Sequence, residues 1–512
     1  MTHHHAHSRP SGITRLVSPF LLALVFCAWG CQPSLYDPGP QRDSAPEVTD
    51  GKGSGATDAP SGKDAGPDAG PDAGSDGNQD GKADAAADAG PDLGADTIAV
   101  GPDATPDFGP DLGPDAAPSC VFTPVAQAKF PFPQNRWGSN CIKPSTYSND
   151  DVQRAYCQWK NDTVTTDGVG SCSKGGCYRV KRPNEPGSLE KNSTVSEGIG
   201  YGMLIAVYMN DQKLFDGLWR YEQQYLDEHG LMHWYIKADG SGTGPGGNGG
   251  ATDADEDMAF ALLMADKQWG GNGSLDKSYL DYAKGQIGNI WGNEIVDSKG
   301  VKPGDTWGDW GALNISYFAP SYYRAFTKVD SHAWSDVVTT SYDVIDHSLN
   351  SSNGNQTNGL VPAWVSCGST SCSPNNNAWA DKPGQSPTNY QYDSCRTPFR
   401  VGLDWCWNGE QRAQAYVAKT SAFFSGIGAS KIVDGYALNG TPQPASSGKS
   451  AAFIGTAGVG AMSSTSYQSF VNYAYAQVAT LQALTGGTYY EDSWTVLSLL
   501  AMTGNFVDFT AY

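Results

Sequence analysis

Two stretches of this chain, residues 203–209 and 258–269, are helical in character and apolar on nearly every face. A helix without a polar side has to be covered all round, which suits an inner position in a layered helical domain. Other stretches carry a single apolar stripe. Leu214, Leu218, Tyr221 and Tyr225 mark one face of an amphipathic helix, and Phe470, Tyr473, Gln477, Leu481 and Leu484 trace a second with one polar lapse. Loops rich in Gly, Asn and Pro separate these segments. Amphipathic helices alternating with buried ones fit a closed double ring of helices. The periodicity by itself establishes only a mostly α domain.

That domain occupies residues 119–512, which are dense in Trp and Tyr and long enough for a large core. Residues 32–118 are different. They are Asp/Gly/Pro/Ala-rich and hold 18 acidic against 4 basic residues, a net of −14 out of the chain's −21. Aspartates recur at every fourth position from Asp64 to Asp96 and again from Asp103 to Asp115. On a helix this spacing would stack like charges on one face, and the repeated Gly-Pro-Asp breaks helices as well. With few large apolar residues there is no core to offset chain entropy, so the segment is expected to be a disordered, extended linker. Residues 76–81 imitate the start of a calcium loop, but Ala87 stands where the bidentate acid belongs.

Residues 1–31 read as an export signal. Arg9 and Arg15 precede the apolar run from Phe20 to Phe26, which is too short to span a membrane comfortably. Ala28-Trp29-Gly30-Cys31 is similar to a bacterial lipobox, so Cys31 is the expected lipid-bearing first residue of a mature cell-surface or outer-membrane lipoprotein. Ordinary cleavage and full secretion is the alternative. Export implies an oxidising compartment for the nine cysteines of the domain. Local disulfides are expected at Cys172–Cys177 and Cys367–Cys372, and a third between Cys395 and Cys406. Among Cys120, Cys141 and Cys157, one must stay unpaired or pair elsewhere. An acidic chain is a poor partner for nucleic acid, which is bound through Lys and Arg.

Carboxylates stand at the head of both all-apolar stretches: Glu197 in SEGIGYGM, and Asp253, Asp255, Glu256 and Asp257 in ATDADEDM. An ionised group there must be solvated, paired or put to use. These segments, with HGLMHWYI, KPGDTWG, YFAPSYYRAF, GLVPAW, YQYDSCRTPFRVGLDW, KIVDGYALNG and AAFIG, follow the order seen in glycoside hydrolase family 8, which the chain resembles over residues 119–512. The resemblance implies an (α/α)6 barrel that cleaves β-1,4-linked polysaccharides with inversion. It implies Glu197 as general acid, Asp393 as general base, and Asp253 as the carboxylate that holds the distorted sugar. An acid must protonate a leaving glycosidic oxygen, and a second carboxylate must activate water on the opposite face. Gly198, Gly200 and Gly202 would let a sugar approach the backbone.

Each assignment has a plainer counterpart. Glu197 fits a helix N-terminus through the dipole alone. Asp393 fits a structural partner of Arg396. Asp255 and Asp257 read better as capping or ion-pairing residues. By the same resemblance Trp234, Trp307, Tyr317, Tyr392 and Arg396 bind substrate, since sugar rings pack on aromatic planes. Thr306 and Ala363 depart from the family's cellulases, which often carry Arg and Asp at those places. His229 and His233 have metal-like spacing but lack the HExxH glutamate, and His233 reads as structural or sugar-facing. No metal and no cofactor is expected. The implied protein is an exported, monomeric endo-β-1,4-glucanase acting on cellulose or related β-glucans. A chitosanase, mixed-linkage glucanase or xylanase of the same chemistry stands as the alternative, and an inactive carbohydrate-binding protein as the remote one.

Overall fold

Twelve α-helices, α1 to α12 in chain order, dominate the described residues. The computed structural model describes residues 120–512 apart from 173–175, 185–188, 377–385, 445, 447 and 482–487. The export signal, Cys31, the acidic linker and the calcium-loop mimic lie outside the described residues.

The odd-numbered helices are α1 (Asn149–Thr163), α3 (Gln212–Glu222), α5 (Tyr279–Asn293), α7 (Trp334–Ser348), α9 (Gln411–Ile427) and α11 (Gln468–Leu481). The even-numbered ones are α2 (Ser196–Tyr208), α4 (Thr252–Gln268), α6 (Pro320–Phe326), α8 (Thr397–Asn408), α10 (Ala451–Ala461) and α12 (Tyr489–Met502). Each even helix packs on the next, and α12 closes the circle onto α2. The odd helices pack outside this ring, α3 on α2, α5 on α4 and so on to α11 on α10, with α1 on α12. This is an (α/α)6 barrel.

Composition explains which helix goes where. Met203, Leu204, Ile205, Val207 and Tyr208 of α2 are buried on all sides, as are residues 258–265 of α4. Each such side chain contributes roughly 1.5–3 kcal/mol when removed from water, so a helix apolar all round gains most in the inner ring. In α3, Leu214, Leu218 and Tyr221 face inward as the periodicity predicts. The stripe of α11 differs from its expected phase. Phe470, Val471, Ala474, Tyr475 and Val478 are buried, while Tyr473 is 38% exposed. Ala474 takes the inner place because α10 approaches closely there; a Cβ on Gly458 would lie 2.8 Å from the Ala474 Cβ.

Five inner helices, α2, α4, α6, α8 and α12, begin without a side-chain cap. A helix N-terminus carries a partial positive charge, which favours anionic groups. Short antiparallel pairings set the loops at this end. Val195 pairs with Tyr235, so Trp234 lies beside the start of α2, and the Ser196 N–H donates to the Trp234 carbonyl at 2.9 Å. A three-stranded sheet of Leu313–Asn314, Trp364–Cys367 and Cys372–Pro374 brings Trp364 opposite Asn314.

The disulfides are Cys120–Cys157, Cys141–Cys406, Cys172–Cys177 and Cys367–Cys372, with Cys395 free and buried. The two local bridges match expectation. The expected Cys395–Cys406 bridge does not form, because the ten residues between them are largely helix α8. A helical run of that length separates its ends by about 16 Å, well beyond disulfide reach. Cys406 instead ties the end of α8 to the segment preceding α1.

Candidate active site

The carboxylates at the heads of α2 and α4 are gathered by one buried arginine. Arg396 ends the short 3-10 turn Ser394–Arg396 that leads into α8, and its side chain is 1% exposed. Its Nη1 donates to Glu197 Oε2 at 2.5 Å and to Asp253 Oδ2 at 2.6 Å. Its Nη2 donates to Asp393 Oδ1 at 3.0 Å and to Ser316 Oγ at 2.7 Å, and Nε also meets Ser316 Oγ at 3.1 Å. The guanidinium lies over the Tyr317 ring, 5.1 Å from its centroid. Three acids from three chain segments thus share one cation. A buried charge is tolerable only when paired and fully hydrogen-bonded, and this cluster satisfies both conditions.

Each acid has its own remaining partners. Asp393 Oδ2 accepts from Trp364 Nε1 at 3.2 Å and Gln391 Nε2 at 3.1 Å. Hydrogen bonds from donors favour the ionised form of a carboxyl group. Asp253 Oδ1 accepts the Ala254 N–H in the first turn of α4 at 3.0 Å. Glu197 Oε1 accepts from the Tyr489 hydroxyl at 2.6 Å. Burial pushes the Glu197 carboxyl up to about 7; the Arg396 charge opposes this and the Asp253 charge adds to it. A carboxyl with that affinity holds a proton near neutral pH. Glu197 Oε2 and Asp393 Oδ1 are thus held on the two Nη nitrogens of one guanidinium.

A model of glycosyl hydrolases family 8 matches residues 140–504. Endoglucanase A of Acetivibrio thermocellus is 38% identical over 353 residues, covering 68% of each chain. Endoglucanase C of Ruminiclostridium cellulolyticum is 33% identical over 405 residues, 77% of this chain and 81% of that one. The chain belongs to glycosyl hydrolases family 8. It is a glycoside hydrolase. Among solved structures, a β-1,3-1,4-glucanase from Paenibacillus sp. X4 superposes with a TM-score of 0.65 at 31% identity, covering 74% of this chain and 99% of that one. A cold-adapted family 8 xylanase, at 20% identity and a TM-score of 0.58, shares the fold.

Around the acids of this family 8 enzyme runs a line of rings. Trp307, 42% exposed, lies 5.4 Å from Trp364, and Trp364 lies 6.2 Å from Tyr317. Trp234 is half-buried and anchored by its Nε1 to the Gly246 carbonyl at 2.8 Å. The Tyr392 hydroxyl donates to Asp434 Oδ2 at 3.0 Å, and its ring packs edge-on against Phe453 and Tyr490. Ala363 is completely buried and brings no polar group to this surface. Thr306 lines a cavity of about 320 Å³ with Asp227, His233 and Gly249, between the loops that carry Trp234 and Trp307.

Several expectations change. Arg396 spends its donors on protein oxygens, so it holds the acids in place and has none left for sugar. Gly198, Gly200 and Gly202 do not face sugar; they lie buried within α2, where a Cβ on Gly200 would come within 3.0 Å of the Asp257 Cβ on α4. Asp257 makes an ion pair, bidentate to Arg400 at 2.9 and 3.1 Å. Asp255 neither caps nor pairs with a cation. Burial, with the Glu222 charge, raises its proton affinity well above the usual carboxyl range, a bond with Glu294 opposes this, and it accepts from Gln286 Nε2 at 2.9 Å. Trp364, Tyr489, Ser316 and Tyr201 join the site without having been singled out in the sequence.

Among the described residues one group has metal-ligand spacing: Asp227, His229 and Asp305, with ligand atoms within 4.8 Å of one another. Here His229 Nδ1 meets Asp305 Oδ2 at 2.6 Å, and Asp305 Oδ1 accepts the Gly250 N–H at 2.8 Å. The group stitches the 227–234, 249–252 and 303–307 loops together. His229 and His233 do not act as a pair, since His233 Nδ1 accepts the Gly249 N–H at 3.0 Å.

Proposed function

We propose that this protein is an endo-acting β-1,4-glucanase of the cellulase type that hydrolyses with inversion. The observation that carries this reading is the binding of Glu197, Asp253 and Asp393 by one guanidinium. Glu197, raised to about 7, is the general acid. Its proton goes to the glycosidic oxygen as the C1–O bond breaks. Asp393 is the general base; it takes a proton from a water that attacks C1 from the other face. Asp253 hydrogen-bonds the sugar beside the scissile bond. Trp234, Trp307, Tyr317 and Tyr392 offer ring faces to neighbouring sugars. The endoglucanase relatives support β-glucan over chitosan or xylan, and the mixed-linkage glucanase neighbour keeps that substrate as the second reading.

Glu197→Gln should lower turnover of carboxymethylcellulose at least 10³-fold while cello-oligosaccharide binding, read by calorimetry, stays within a fewfold. Full turnover in that variant would refute the acid. Proton NMR of fresh product should give α-anomers, and initial β-anomers would refute inversion. Side-by-side assays on cellulose, mixed-linkage glucan, xylan and chitosan decide the substrate, and a preference for chitosan or xylan overturns it.

The enzyme is further proposed to be exported, monomeric and anchored through a lipid on Cys31. Four disulfides support an oxidising compartment. Cys31→Ser should move the protein from the membrane fraction to the soluble one, and unchanged membrane association would refute the anchor.

A further inference from the structure

Glu197 has two unlike partners, and the difference decides where its proton can sit. Oε2 accepts from Arg396 Nη1, and a guanidinium has donors but no acceptor. A proton on Oε2 would point at an N–H that cannot receive it. Oε1 accepts from the hydroxyl of Tyr489, the first residue of α12. A phenol hydroxyl both donates and accepts, and it reverses direction by turning about its C–O bond.

We infer that Tyr489 is the positioning residue that confines the acid's proton to Oε1 and then stabilises the carboxylate left behind. The inference rests on Glu197 being the general acid. Before reaction, Oε1–H is the protonated form that leaves Oε2, as the carbonyl oxygen, to accept from Arg396, and the Tyr489 oxygen can face the proton as acceptor until it turns to the leaving oxygen. As the C1–O bond breaks, its electron pair goes to the leaving oxygen, and the Oε1 proton moves to that oxygen. The Tyr489 hydroxyl then turns to donate to Oε1, in the arrangement observed. The water's oxygen bonds to C1 and its proton goes to Asp393, so charge and protons balance. Asp393 is held by nitrogen donors: Arg396, Trp364 and Gln391 all donate to it.

The ring of Tyr489 is suited to a fixed post. It is 7% exposed, packs against α2 at Gly198, and lies under the Arg182 guanidinium, 5.5 Å from its centroid. Tyr489→Phe keeps that ring and removes only the hydroxyl. Loss of this donor raises the proton affinity of Glu197, because the hydrogen bond favours the ionised form.

The experiment measures kcat/KM against pH for cellohexaose hydrolysis by the full enzyme, Tyr489→Phe and Glu197→Gln. The same three proteins are tested on an aryl β-cellotrioside, whose nitrophenol leaves without protonation. For Tyr489→Phe the expected result is an alkaline limb moved up by about half to one pH unit, and kcat on cellohexaose down about 10- to 100-fold with KM within twofold. Nitrophenol release should fall much less. Equal losses on both substrates with an unmoved limb would mean a packing role and overturn the proposal. An unchanged kcat on cellohexaose would overturn it too. Glu197→Gln separates the two levels: if it retains cellohexaose hydrolysis, the assignment of the acid fails. If it loses that activity while Tyr489→Phe behaves as the parent enzyme, only the role of Tyr489 fails. Tyr489→His, which restores a group able to donate and accept, should recover part of the lost kcat.

Discussion

The four acids in the first two turns of α4 lie side by side and meet different fates. Asp253 points to the mouth of the barrel and shares Arg396 with Glu197 and Asp393. Asp257, four residues on, meets Arg400 in a closed two-pronged pair. Glu256 accepts the Tyr323 hydroxyl at 2.6 Å, and burial holds its carboxyl well above the usual range. Asp255 faces Glu294 in a buried group that Glu222 adjoins, and there burial and mutual repulsion favour protonation. All four are carboxylic acids, three Asp and one Glu. What differs is the partner: Asp253 and Asp257 face arginines, Glu256 a hydroxyl and Asp255 a second acid, while burial raises the proton affinity of Asp255, Glu256 and Asp257 alike. The mouth combines the two arrangements, since Glu197 has both an arginine and a phenol.

This contrast is broken most severely by removing the arginines in turn. Arg396→Leu should cut cellulose hydrolysis by 10³-fold or more, because three acids then repel one another in the site. Arg400→Leu leaves Asp257 buried without its cation, and urea unfolding should give a loss of about 3–5 kcal/mol. If both variants lose activity and stability in equal measure, the division between a working cluster and a structural one is wrong.

A smaller effect sharpens the other side. Burial raises the Glu222 carboxyl from 4.5 to about 8. A group whose folded affinity for protons is raised adds stability that is complete below the unfolded value. That stability is lost as pH climbs through the folded value. Between about pH 4.5 and 8 the parent protein should therefore lose stability that Glu222→Gln does not. In calorimetric melts at pH 9 the variant should exceed the parent by roughly 5 °C, and at pH 5 the two should nearly coincide. A pH-independent difference would mean that Glu222 is already ionised in the fold.

The inner helices and the acids at their heads were legible because they leave local marks: runs with no polar face, and charges where an apolar run begins. The phase of α11 was not, since a bulky ring at Tyr473 outweighs Ala474 in any hydrophobic pattern while close approach to α10 rewards the smaller side chain. Tyr489 was invisible for a different reason. It lies 292 residues from the acid it touches, and nothing in its neighbourhood distinguishes it from other tyrosines. The Cys141–Cys406 bridge spans 265 residues and escaped for the same cause. The Cys395–Cys406 expectation fails because helical rise along α8 carries the two sulfurs apart.

The glycines of α2 set a limit on engineering this enzyme for heat. Replacing Gly200 with alanine would gain about 1 kcal/mol of intrinsic helix preference, the usual route to a sturdier variant. The added methyl would collide with the neighbouring inner helix at 3.0 Å and pry the two apart just where one carries Glu197 and the other Asp253. Thermal hardening of this barrel therefore belongs on the outer helices, where Gly285, Gly288 and Gly292 of α5 have open space around them.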